Sequence, residues 1–165
     1  MRAILKFIKK YSRVIFVIYI LVLFLVLVLK FPQMNMFYGI IDRIKTGARV
    51  GFADSTNWIP FRKIIEYVGH VRAIDDWFAK NLICNLVVFM PAGFLIPLFA
   101  KHNKFWQVLI YGMMISIIVE CLQVLLAVGT GDVDDVILNT IGVAIGFGFY
   151  KLFYLICTKQ REKRG

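Results

Sequence analysis

The residues of this chain best suited to chemistry are Glu120 and Gln123, then, after a glycine turn, Asp132, Asp134, Asp135 and Asn139. They place carboxylates and amides inside or beside segments that are otherwise hydrocarbon. An ionisable side chain at membrane depth is costly, so it marks a functional site by default. A carboxyl held there in its protonated form would donate a hydrogen bond and could pass a proton to a substrate. Packing alone could be met by an amide, without the burden of a charge. Glu120 and Asp135 are therefore the catalytic candidates. Glu120, Asp132, Asp134 and Asp135 also offer hard oxygen ligands for Mg²⁺ or Ca²⁺, but their spacing matches no cation loop. No metal and no cofactor is expected. Ser116 has no histidine near it and Cys121 falls off the Glu120 face, so nucleophilic catalysis lacks support. A structural role competes at each position. Asp132 and Asp134 suit a helix N-cap and a first-turn acid. Asn and Gln can simply hydrogen-bond helices together.

The spacing is ordered. Gly112, Ser116, Glu120 and Gln123 recur at helical intervals, as do Asp135, Asn139, Gly142 and Gly146. Asn81 and Asn85 lie one turn apart, with Val88 and Ala92 continuing their stripe. Such intervals put each set along one side of a helix. Gly142-x-x-x-Gly146 is a close-packing face for a neighbouring helix. The same face could serve a homodimer. The ligand-binding candidates are thus Asn85, Glu120, Gln123, Asp132, Asp135 and Asn139.

The elements that must position these residues are membrane spans. The chain has 165 residues, 60% of them hydrophobic, which no ordinary water-soluble domain matches. Four apolar stretches run over about 14–29, 82–100, 105–128 and 133–156. A bilayer core of about 30 Å needs about 20 helical residues. The last three stretches suffice; the first spans about 24 Å at 1.5 Å per residue. Arg13 and Lys30 flank the first and can snorkel, extending its reach. Its basic start resembles a signal peptide, but no small-x-small cleavage site follows, so it reads as a retained anchor. The expectation is an all-α bundle of four transmembrane helices, one domain over 1–165, with an outer segment at 31–81.

Orientation follows from the basic residues. Five precede the first span, Lys101 and Lys104 lie between the second and third, and Lys159, Arg161, Lys163 and Arg164 close the tail. With four spans, all of these fall on one side. Both termini then face the cytoplasm of a multi-pass cell-membrane protein. Segment 31–81 and the turn at 129–132 face outside. Within that segment, 34–44 and 61–78 carry apolar stripes at helical spacing and read as amphipathic helices in the headgroup region. In the second of these the stripe is Ile64, Val68, Val71, Ile74 or Asp75, and Phe78. Glu120 lies roughly 6 Å past the midplane at 1.5 Å per residue. Asn85 and Asn139 lie at similar depth, so the polar residues of three helices converge in the outer half. Pro91 and Pro97 free backbone carbonyls of the second span and are expected to bend it near Gly93.

Several classes fall away. The net charge of +10 is carried largely by the cytoplasmic flanks, where anionic lipid is the partner, and nothing resembles a nucleic-acid module. Cys84, Cys121 and Cys157 read as small packing residues, although a Cys84–Cys121 disulfide is geometrically conceivable. His70 and His102 fall on opposite sides and cannot share a metal. Polar residues in one leaflet alone give no path for a transporter.

The residues also carry a resemblance. Asn57-x-Ile59-Pro60-Phe61, then Asn81-x-x-x-Asn85-x-x-x-Phe89-x-Pro91-x-Gly93-Phe94, then Glu120-x-x-Gln123, then Asp132-x-x-Asp135-x-x-x-Asn139-Thr140-x-Gly142 resembles the VanZ-like family, over about residues 57 to 148. The resemblance implies a small integral membrane protein of Gram-positive bacteria that lowers susceptibility to teicoplanin-type glycopeptides. The partners it implies are membrane lipid, a lipid-linked cell-wall precursor, or the glycopeptide antibiotic itself. Action at the outer leaflet by binding or masking precursors is the leading reading. A membrane enzyme modifying a lipid or precursor head group through an acid–base carboxylate is the alternative. Many members carry an arginine three residues before the first aspartate of the last motif, where this chain has Gly129. A cation for the acidic cluster would then come from the outer segment, with Arg49, Arg62 and Arg72 the candidates.

Overall fold

Hydrocarbon offers no water to backbone N–H and C=O groups, so long apolar runs close their hydrogen bonds internally as helices. The computed structural model describes residues 2–29, 57–70, 77–100, 104–125 and 131–162. Among them lie helices α1 (Arg2–Leu29), α2 (Arg62–His70), α3 (Trp77–Phe99), α4 (Phe105–Leu125) and α5 (Val133–Glu162). Three described stretches, Leu82–Phe99, Phe105–Leu125 and Val133–Thr158, are long and apolar enough to cross a membrane. The helices carrying the second and fourth expected spans are longer than read from hydropathy, because polar first turns at Trp77–Asn81 and the basic tail continue the same hydrogen-bond ladder. The expected helix at 34–44 lies outside the described residues, as do the turn at 129–130 and most of the expected apolar stripe between 71 and 78.

The α3–α5 contact is the tightest in the bundle, and glycine makes it so. A Cβ built on Gly142 would run into the carbonyl oxygen of Leu86, and one on Gly146 into that of Met90. Both partners advance together along the chain, so the two helices are parallel. Gly93 faces back into the backbone of Val143. The glycine face is thus occupied by α3 of the same chain. At Gly93 the absence of a side chain lets the two backbones approach. Helix α3 continues through Pro91 and Pro97.

Helix α4 runs antiparallel to α5. Gly112 packs on the Val143 side chain, and four residues on, Ser116 meets Asn139. Below this polar level lies the apolar core of Phe89, Ala92, Val108, Val143, Phe147 and Tyr150. Helix α1 seals one side of it through Leu23 and through Phe16, whose ring lies 4.9 Å from that of Phe99. The Tyr19 hydroxyl donates to the carbonyl of Val88 at 2.9 Å. The opposite side of α1 presents Val14, Val17, Ile18 and Leu21 outward. The cysteines are free thiols, so Cys84 and Cys121 form no disulfide.

Candidate functional site

The polar side chains gather where the N-terminal ends of α3 and α5 meet the C-terminal half of α4. Each candidate projects inward because it shares a helical face with the core. Asn85 stands one turn before Phe89, Glu120 one turn after Ser116, and Asn139 one turn before Val143. Asn85, Ser116, Glu120, Gln123, Asp132, Asp134 and Asn139 are all buried, while Asp135 is half-buried.

Asp132 is the node. Its Oδ1 accepts the backbone N–H of Asp134 at 2.9 Å, which makes it the N-cap of α5 as its residue type requires. The same oxygen accepts the Asn57 amide at 2.9 Å. Its Oδ2 pairs with the Lys63 ammonium at 2.6 Å. Its backbone N–H donates to Glu120 Oε2 at 3.2 Å, tying α4 to the start of α5. Asn57 also forms an isolated parallel bridge with Asp132: its N–H donates to Gly131 at 2.9 Å, and Val133 donates back to the Asn57 carbonyl at 3.1 Å.

Asp134 does something its position in a first turn does not announce. Its carboxylate leaves its own helix and accepts the backbone N–H groups of Phe61, Lys63 and Ile64. It therefore caps α2, a helix about seventy residues earlier. Phe61 takes a left-handed backbone, with φ 65°, where the chain turns into that helix. A non-glycine residue rarely adopts this conformation. The bond from its N–H to Asp134 holds it there.

Deeper in the bundle the Asn85 amide donates to Asp135, joining α3 to α5. The Asn139 amide donates to Ser116 Oγ at 2.9 Å. The Asn139 carbonyl oxygen is sealed from solvent and has no hydrogen-bond partner among the described residues. A buried acceptor in that state marks a place for a donor.

Of the sequence candidates, Asn85, Glu120, Gln123, Asp132, Asp135 and Asn139 are brought to one end of the bundle, spread over about two helical turns. The mixed carboxylate set considered for a divalent ion is not assembled. Asp134 is spent on α2 and Asp132 on Lys63, and among the described residues no three His, Cys, Asp or Glu are arranged to hold a metal ion. Among the described residues the cation beside the acids is Lys63. Of the three arginines considered, Arg62 is exposed, and Arg49 and Arg72 lie outside the described residues. Lys63 escapes sequence reading because it belongs to no periodic stripe, and Asn57 enters it only as part of the family motif. Ser116 stands on the face the spacing assigns to it, where sequence reading weighs it only as a nucleophile.

The profile of the VanZ/LLP1 family matches residues 16–154. The chain belongs to this family. That match covers α2 to α4 entirely, the second half of α1 and most of α5, so it includes every polar residue of the site. Among curated proteins, the chain is 32% identical to Protein VanZ of Enterococcus faecium over 73 residues, 44% of this chain and 45% of that protein. The matched segment thus spans less than half of that relative's length. No solved structure matches the chain. Membership of VanZ/LLP1 and three apolar helices make this a multi-pass membrane protein.

Proposed function

We propose that this VanZ/LLP1 protein lowers susceptibility to teicoplanin-type glycopeptides by acting at the outer leaflet, where its polar cluster binds or masks a lipid-linked cell-wall precursor. Helix α1 serves as a fourth span. Its outward Val14, Val17, Ile18 and Leu21 suit lipid, and its inward face packs on α3. Four spans put both basic termini in the cytoplasm and the Asp132 end of the bundle outside. Residues 57–70 then lie along the outer surface.

The observation that carries this reading is the convergence of Asn85, Glu120, Asp135 and Asn139 from three helices at one end of an otherwise apolar bundle. The unpartnered Asn139 oxygen adds an acceptor that a ligand's N–H or O–H could fill. Burying this much polarity for packing alone is poorly rewarded, because interhelical hydrogen bonds in membranes average about 0.6 kcal/mol. The test is teicoplanin susceptibility of a sensitive Gram-positive host expressing wild type, Glu120→Gln or Asp135→Asn at matched membrane levels. Wild type should protect and both variants should not. Equal protection by all three sinks the binding role of the cluster.

One observation favours a second reading. Glu120 on α4 and Asp135 on α5 occupy the same antiparallel level, one turn above the Ser116–Asn139 pair. Two carboxyls so placed could divide acid and base roles on a lipid or precursor head group. Mass spectrometry of extracted lipids and precursors decides this; an unchanged profile on expression excludes the enzyme.

A further inference from the structure

Helix α2 has three faces. At about 100° per residue, Lys63 and Ile64 point toward the bundle, and both are half-buried. Arg62, Glu66 and Gly69 form an exposed polar strip on the opposite side. Between the two lie Ile65 and Val68, one turn apart and 70% and 62% exposed. Trp58, Ile59 and Phe61, in the turn that leads into α2, extend the same outward apolar surface. No described part of the chain covers it. A helix surrounded by water on all outward sides would not segregate its exposed residues in this way.

We propose that this surface, centred on Trp58, Phe61, Ile65 and Val68, docks onto the bilayer at the boundary between headgroups and acyl chains. Two features select lipid as the occupant. Helix α2 packs against α3, a helix long and apolar enough to cross a membrane, whose Ile83 and Val87 near the same end are themselves exposed apolar residues. The polar strip beside it carries Arg62, and tryptophan and arginine favour the interface because each has an apolar body and a polar tip.

The consequence reaches the site. Asp134 caps α2 and Lys63 of α2 pairs with Asp132, so the lipid-contacting helix and the first turn of α5 form one unit. Docking of the stripe fixes the polar cluster at headgroup depth. A ligand there is met from the plane of the membrane, which selects a membrane-anchored molecule over a freely soluble one. This inference rests on the placement of residues 57–70 along the outer surface proposed above.

The experiment uses the full chain in phospholipid vesicles, with a sole tryptophan as reporter and lipids brominated at different acyl depths as quenchers. Four chains are compared: Trp58 alone, Trp106 alone, and Ile65→Trp or Arg62→Trp in a chain whose other tryptophans are phenylalanine. Trp58 and the Ile65→Trp reporter should lose emission to bromines near the headgroups, lose less to bromines near the methyl ends, and resist aqueous acrylamide. The Arg62→Trp reporter should behave oppositely. Trp106, exposed at the start of α4, reports insertion of the bundle itself. Quenching of Trp106 by brominated lipid, with Trp58 and the Ile65→Trp reporter open to acrylamide and untouched by bromine, overturns the lipid stripe while the bundle reading stands. Protection of those two reporters from both quenchers means a protein covers the stripe and also overturns it. Failure of all reporters to sense lipid overturns the membrane placement as a whole.

Discussion

Asp134, in the first turn of α5, accepts the backbone N–H of Lys63, in the first turn of α2, at 2.7 Å. Two helices thus begin against one another, and their positive dipole ends share the carboxylates of Asp132 and Asp134. An acid in a first turn normally serves its own helix. Here Asp132 already caps α5, which releases Asp134 to serve another. The arrangement turns a peripheral segment into a fixed wall of the site.

Asp134→Ala should therefore cost more than an ordinary cap. It strips the acceptor from three backbone donors and leaves the left-handed turn at Phe61 unsupported. The expected loss is about 2–4 kcal/mol, read from unfolding of the purified protein in detergent. Asp134→Asn keeps one acceptor oxygen and should lose clearly less. Equal stability of wild type and Asp134→Ala would show that the α2 cap contributes nothing.

Lys63 and Asp132 should be energetically coupled. Asp132 is 3% exposed while Lys63 remains 31% exposed, so removal of the ammonium leaves a buried carboxylate facing its loss. A double-mutant cycle with Lys63→Met and Asp132→Asn should give a coupling of about 1–2 kcal/mol. A coupling near zero would reduce the contact to a solvated surface pair.

The glycine face gives a contrast within one helix. Gly142→Ala and Gly146→Ala force a methyl into the α3 backbone and should each destabilise by about 1–3 kcal/mol despite better helix propensity. Gly148 has nothing within 4 Å of an added Cβ, so Gly148→Ala should be neutral or stabilising. The same melting assay ranks all three. Since α3 already fills this face, the first two changes should lower stability even in the monomer.

Ser116→Ala removes the partner of the Asn139 amide but should cost under about 1 kcal/mol, as single hydrogen bonds between membrane helices do. Thermal unfolding measures it. A much larger loss would make the pair a structural keystone and weaken the case for a ligand at the Asn139 oxygen.

Reporters fused at either end test the four-span arrangement. A green fluorescent protein should fluoresce at both termini, and an alkaline phosphatase should be inactive at both. Termini on opposite sides of the membrane would remove α1 from the list of spans.

The periodic signals were legible in the sequence for a physical reason. In hydrocarbon the backbone must hydrogen-bond within its own helix, so local apolar length gave the spans, and spacing of three and four gave the faces. That is why Ser116, Glu120, Asp135, Asn139, Gly142 and Gly146 could be assigned to inward sides before any fold was known. The N-cap at Asp132 was equally local. What only the tertiary structure decided was partnership. Asp134 and Lys63 are 71 residues apart, and a bond between a carboxylate and a distant backbone N–H leaves no trace in side-chain periodicity. Among the described residues, Lys63 rather than Arg62 meets the cluster, because the turn at Phe61 sets which side of α2 faces α5. Gly93, read as part of a kink, became a contact for the Val143 carbonyl once α5 lay parallel to α3. Local hydrogen-bond closure fixed the helices, while the close approach of α3 and α5 and the acids that α5 shares with α2 fixed the site.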